Sequence, residues 1–263
     1  MIVELASRIL YCDRCCVVVN KTAGEAAEGA VKNMVDLPRQ LAVELNAFLA
    51  GYDRCERTGI ISPPDALAPP DALALPAAVH RLDVPVSGCT VFARTKTALR
   101  FLSETFKTNS VEKYYWAIIE KPHNNTVNFF ANSSCEKTEL VHWIEFNPRQ
   151  NKSIAHDEPG QGRKKAVMRY RFTGEGRDYL FLEIELVTGR HHQIRAQLQR
   201  LGLHVKGDLK YGARRSEKNG GIRLHARSIA FPDPCNAGKH ITVQAEPPLP
   251  DNLWTAFPIT NNK

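Results

Sequence analysis

Val79-His80-Arg81-Leu82-Asp83-Val84-Pro85-Val86-Ser87-Gly88, followed by the apolar run Cys89–Ala93, is the stretch from which the rest of the chain is read. The apolar run has the length and β-branched content of a buried strand. Pro85 and Gly88 shape a turn leading into it, and Arg81 and Asp83 lie at its lip. Taken alone, the stretch describes a loop whose charges are solvated. The segments on either side change that reading.

On the N-terminal side, Ser7–Tyr11 and Cys15–Val19 read as a strand pair turning at Asp13 and Arg14, and a second turn follows at 20–24 with Lys21 at its mouth. A helix is expected from Asp36 to Leu49. Asp36 caps it, Pro38 lies in its first turn, Leu41, Leu45, Phe48 and Leu49 share a face, and Gly51 stops it. Residues 61–78 contain Pro-Pro-Asp-Ala-Leu-Ala twice, from Pro63 and from Pro69, and are expected to form an exposed loop.

On the C-terminal side, Thr95 caps a helix over Lys96–Lys107 with Ala98, Leu99, Leu102 and Phe106 as its apolar stripe. Lys113–Ile119 and Leu140–Phe146 read as strands, and 147–165 as a polar, basic loop. Val167–Phe172 and Tyr179–Val187 form a hairpin with Leu180, Leu182, Ile184 and Leu186 on one side. A helix follows Gly189 and ends at Gly202. Residues 204–212 are extended and punctuated by glycine, Leu224–Phe231 and Ile241–Ala245 are late strands, and the tail after Pro258 frays. Many strands, few helices and hairpin spacing give an α+β fold with a mainly antiparallel sheet, in a single domain over 1–263.

The composition narrows the function. The net charge of +7 points to a polyanionic partner, nucleic acid above all. Apolar runs fall short of a membrane span, and the first residues do not read as a signal peptide. Seven scattered cysteines fit a reducing cytoplasm, and Cys15 and Cys16 read as strand residues despite the metal-ligand spacing of Cys12 and Cys15. P-loop, dinucleotide fingerprint and nucleophile elbow are all missing. His191 and His192 are the best metal candidates, but adjacent residues on a helix diverge by about 100°. No metal or cofactor is therefore expected. What remains is Asp83 at a strand's lip, Tyr115 inside a strand, and Arg190 and Arg195 near a helix start. An arginine fork against Asp83 would keep it ionised, which suits a nucleophile or general base better than an acid.

These residues resemble the RluA-type pseudouridine synthases. His80-Arg81-Leu82-Asp83 with Ser87-Gly88 is similar to that family's catalytic motif. The other similar blocks come in family order: Val17–Gly24, where Thr22 replaces the usual Pro; Lys113-Tyr114-Tyr115; Thr188–Arg195; Gly207-Asp208 with Tyr211-Gly212; Leu224-His225-Ala226; and Phe231. The resemblance implies the pseudouridine-synthase fold and a cofactor-free isomerase acting on uridines of ribosomal or transfer RNA. It implies Asp83 as catalytic aspartate, Tyr115 stacking on uracil and handling protons, and Arg195 pairing with Asp83. Arg81 would displace the target nucleotide and Ile194 would line the base pocket; His80, Arg190 and His192 would also bind substrate. A monomer in the cytoplasm, with no membrane partner and no separate N-terminal RNA-binding module, is expected. Val86, His191, the Phe231-Pro232-Asp233-Pro234 segment and the Pro-rich loop depart from the family pattern and bear on substrate identity. The rival readings are a non-catalytic RNA-binding or ribosome-assembly protein on the same fold, and a metal-dependent RNA hydrolase using His80, His191 and His192.

Overall fold

The computed structural model describes residues 4–28, 35–50, 71–122, 137–248 and 251–257. In chain order its strands and α-helices are β1 (Ile9–Cys12), β2 (Cys16–Lys21), β3 (Glu25–Ala26), β4 (Val35–Asp36), α1 (Leu37–Ala50), β5 (Ala72–Ala78), β6 (Ser87–Thr95), α2 (Lys96–Lys107), β7 (Glu112–Glu120), β8 (Thr138–Asn147), β9 (Lys152–His156), β10 (Lys164–Glu175), β11 (Tyr179–Leu186), α3 (Gln193–Arg200), β12 (His204–Val205), β13 (Leu224–Pro232), β14 (His240–Gln244) and α4 (Asn252–Thr255). The fold is α+β. The chain divides into two compact units, one of residues 1–111 and 227–248, the other of 112–226 and 249–263.

In the first unit β2 pairs antiparallel with β1 (Ile9↔Val19) and with β6 (Cys16↔Ala93, Lys21↔Gly88), and β13 pairs antiparallel with β14. Every residue of β2 is buried because both faces of its sheet are covered. Cys16 and Val18 pack with Ala98 and Leu102 of α2; Val17 and Val19 pack with Leu37, Leu41 and Leu45 of α1. Both helices start where the sequence places them. Asp36 Oδ1 accepts from the Arg39 amide at 3.3 Å, and Thr95 Oγ1 accepts from the Ala98 amide at 3.0 Å. The expected stop at Gly51, the side chains of Phe48 and Leu49 and the tail after Pro258 lie outside the described residues.

The expected loop over 61–78 is described from Asp71 onward, and there it is a strand. β5 pairs with β6 at Ala77↔Ala93 and slips register between Ala72 and Ala77. Pro76 falls inside that slip, which is how a strand accommodates a residue with no N–H to donate. The cysteines also differ from expectation: Cys15 and Cys235 are joined in a disulfide, while Cys12, Cys16 and Cys89 are buried. Asp13 Oδ1 accepts from the Cys15 amide, and Asp233 Oδ1 accepts from the Cys235 amide, so matching Asp turns present the two sulfurs.

The second unit is an antiparallel sheet in the order β9-β8-β10-β11-β7, with β12 beside β7. Trp116, Ile118 and Phe181 form one of its faces, against Trp254 and Phe257. On the other face Ile144, Ala155 and Ala166 pack with Ala196 of α3 and with Tyr211. β9 lies inside the stretch read from sequence as a loop. It is a short edge strand with a polar sequence, and what holds it is pairing with β8 rather than its own periodicity.

Candidate active site

Asp83 opens a tight turn in the first unit, closed by the Val86 amide donating to the Asp83 carbonyl at 2.9 Å. Its residue is half-buried, and Arg81 before it is exposed. Gly88, at φ 117, takes the backbone out of the turn into β6 in a conformation that suits glycine. His80 points inward. Its ring stacks on Phe106 at 4.6 Å, and Nε2 accepts from the Val91 amide at 3.0 Å, so these contacts anchor the turn to α2 and β6.

Underneath the turn lies Lys21, the last residue of β2, which is fully buried. Its Nζ donates to the carbonyls of Val86 (2.7 Å), Thr22 (2.9 Å) and Val84 (3.2 Å). The Gly24 amide donates to the same Val84 carbonyl at 2.9 Å. The backbone on the C-terminal side of Asp83 is therefore held by a cation. Burial lowers the Lys21 pKa to about 8, although the carboxylates of Glu25 and Asp83 pull it upward. Glu25 is braced in turn. Arg8 donates to both its oxygens at 2.8 Å and the Thr22 amide donates at 2.8 Å. Burial opposes ionisation of Glu25, but these donors keep its carboxyl below its ordinary value. Sequence reading placed Lys21 at the mouth of a turn and missed its burial.

Tyr115, Arg190, His192, Ile194 and Arg195 belong to the second unit. Tyr115 is buried in β7 opposite Ile184, Ile184 lies opposite Tyr170, and Tyr170 shares its face of β10 with Ala166. Directly paired residues share a face, so Tyr115 lies on the side of the sheet that α3 covers. Lys113 has the same parity and is buried, and desolvation holds its pKa below the usual value.

Arg195, in the first turn of α3, is 5% exposed. Its Nε and Nη2 donate to Asp208 at 2.6 and 2.8 Å, and its guanidinium lies 4.7 Å over the Tyr211 ring. The family resemblance pairs Arg195 with Asp83; in the structure the carboxylate that holds it is Asp208, of the family-like Gly207-Asp208 block. Gly207, at φ 91, sets Asp208 in place. A Cβ on it would come within 3.0 Å of the Gly221 carbonyl. Arg190 is exposed, precedes α3, and donates from Nε to the Lys165 carbonyl at 3.0 Å. Ile194 is buried.

His191 and His192 do not diverge as a helical pair would. His192 has a left-handed backbone (φ 50, ψ 27) just before α3, which stacks the two rings at 3.8 Å. Each Nδ1 has a hydroxyl partner: Ser153 Oγ for His191 and the Tyr211 hydroxyl for His192, both at 2.9 Å. The Tyr211 hydroxyl also accepts from the Ser153 amide at 2.8 Å. The grouping of possible metal-ligating atoms found among the described residues is Asp13 with Cys15 and Cys235, the two bonded sulfurs, and it includes neither histidine. The described helices include none long and apolar enough to cross a membrane.

In the first unit a turn-borne carboxylate beside a buried ammonium can supply a nucleophile or base; in the second, a buried tyrosine and a buried arginine can supply a ring and a fixed positive charge. Comparison with known proteins gives the family. Residues 16–200 match the family model for RNA pseudouridylate synthase. An uncharacterised RNA pseudouridine synthase of Zymomonas mobilis is 29% identical over 86% of this chain and 87% of its own length. The ribosomal large subunit pseudouridine synthase C of Vibrio cholerae is 29% identical over 68% of the chain, which spans about half (53%) of that relative. Among solved structures, human RNA pseudouridylate synthase domain containing 4 superposes with a TM-score of 0.64, at 19% identity, over 95% of this chain and 91% of its own.

Proposed function

The chain belongs to the RNA pseudouridylate synthase family, which makes it an isomerase, and from that premise we propose that it converts specific uridines of ribosomal or transfer RNA to pseudouridine with Asp83 as the catalytic aspartate. The reaction breaks the N1–C1′ bond of the nucleotide and forms a C5–C1′ bond to the same base. A proton leaves C5 and one is taken up at N1, so atoms and electrons balance with no redox partner. Asp83 supplies the nucleophile or base. Tyr115 supplies the ring against the uracil and handles the proton. Arg195, oriented by Asp208, supplies positive charge where the base becomes electron-rich. Arg81, exposed beside Asp83, is assigned to displacing the nucleotide from its helix, and Ile194 to the base pocket, with Arg190 and His192 binding substrate. The ribosomal assignment draws on the Vibrio cholerae relative, a ribosomal large subunit pseudouridine synthase.

The observation that carries this reading is the bracing of the Asp83 turn by the buried Lys21 ammonium, which a merely solvated loop has no need of. The test is to incubate the purified full chain with unmodified ribosomal and transfer RNA transcripts in excess chelator. Nucleosides are then counted by mass spectrometry after derivatisation. Pseudouridine is expected in at least one RNA. Its absence from both overturns the proposal, and a requirement for added divalent metal overturns the cofactor-free chemistry.

Lys21 also predicts a pH dependence. Its folded pKa, about 8, lies below its ordinary 10.5, so between those values the unfolded chain binds the extra proton. Its contribution to folding therefore grows as pH rises through that window. Turnover should move the other way, because a neutral amine has two N–H donors for three carbonyls. A fall in kcat above about pH 8, without a matching fall in the denaturation midpoint, is expected. A rate that stays level to about pH 10 contradicts this role for Lys21.

A further inference from the structure

We propose that Phe146, held by His191, is a stacking platform for an unpaired nucleotide flanking the target uridine; this rests on the RNA-modifying reading above. Phe146 is at the end of β8 and leaves 46% of its surface in water. Isolated exposed apolar residues are ordinary. This one is held in place: its ring packs at a steep angle against His191, with centroids 4.4 Å apart, and His191 is stacked on His192 and bonded to Ser153 Oγ. Phe146 lies directly opposite Ser153 in the β8–β9 pair, so both side chains share the face that α3 covers.

Cations lie close by. Lys152 Nζ lies 4.9 Å over the Tyr211 ring and Lys210 Nζ donates to the Asn151 carbonyl at 3.2 Å, and two exposed arginines, Arg149 and Arg190, come three residues after Phe146 and one before His191 in sequence. Glu145, the neighbouring carboxylate on β8, alternates to the other face, where His156 and Arg163 pair with it. An exposed ring among cations is the combination that binds single-stranded nucleic acid, with bases stacking on the aromatic and phosphates meeting the charges. A duplex keeps its bases stacked on each other and offers no free face to Phe146.

The platform is also linked to the proposed catalytic residues of its unit. Arg195 lies over the Tyr211 ring, the Tyr211 hydroxyl bonds His192 and the Ser153 amide, and Ser153 bonds His191. A base stacked on Phe146 is thereby held in register with Arg195.

The test measures fluorescence anisotropy of a labelled short oligouridylate and of a labelled RNA duplex of the same length, with the full chain. Phe146→Ala is expected to weaken single-strand binding about tenfold or more, leaving duplex binding within about twofold of the wild type. Phe146→Leu, which keeps apolar bulk, should behave like Ala, and Phe146→Trp should restore affinity. Wild-type affinity of Phe146→Ala for the single strand overturns the platform, as does equal loss for both RNAs. Pseudouridine formation by the wild type is scored separately. Phe146-dependent binding without product overturns the isomerase reading and leaves single-strand stacking standing.

Discussion

Asp83→Asn is expected to form pseudouridine at least about a thousandfold more slowly than the wild type, while binding RNA with affinity within a few-fold. The amide conserves shape and the turn, whose closing bond from the Val86 amide to the Asp83 carbonyl is made by backbone. What it loses is the negative charge that can attack carbon or take a proton. RNA affinity rests largely on phosphate contacts, and removing a carboxylate near a polyanion does not weaken these. The variant should therefore fold, bind and fail to convert. Stability should change by less than about 1 kcal/mol, because Asp83 is half-buried. Binding assays, thermal denaturation and nucleoside counting separate the three properties. Substantial conversion by a folded variant moves the chemistry to another group.

Lys21→Met is expected to cost turnover about a hundredfold and stability little. Two opposing effects set the stability. Removing the ammonium leaves the Thr22, Val84 and Val86 carbonyls without that donor, a loss of about 1–3 kcal/mol. It also relieves the burial of a charge whose pKa falls from 10.5 to about 8, a relief of roughly 3 kcal/mol. These nearly cancel, as happens when buried charges are replaced by apolar side chains of similar volume. Turnover has no such compensation, since the backbone after Asp83 loses its cation and Asp83 loses the positive charge beneath it. Equal melting temperatures with a large drop in kcat is the expected pattern. Unchanged kcat would show that the Gly24 amide and the turn's own hydrogen bond position Asp83 without help.

Elements with strong local signals were legible in the sequence. Thr95 and the stripe behind it gave α2, the aromatic and β-branched run gave β7, and alternation gave β11. Features made by distant partners were not. β9 owes its structure to β8, and the Cys15–Cys235 bond spans 220 positions. Asp208 holds Arg195 from the far side of α3, and the burial of Lys21 depends on carbonyls more than sixty residues away. The left-handed His192 was hidden because no turn or glycine signal in the sequence marks it, and its Nδ1 partner, the Tyr211 hydroxyl, lies nineteen positions away. Asp83 and Arg195 could be singled out because motif spacing is local; Lys21 under the Asp83 turn and Asp208 against Arg195 could not be read as their braces.

Release of tritium from RNA labelled at C5 of uridine tests the central claim most directly, because the proposed isomerisation must expel the C5 hydrogen to form the C5–C1′ bond. Wild-type protein should release tritium into water in step with pseudouridine formation, and Asp83→Asn should release none above background. Folded, RNA-bound wild-type protein that leaves the label on the RNA contradicts the account, as does release by Asp83→Asn at the wild-type rate.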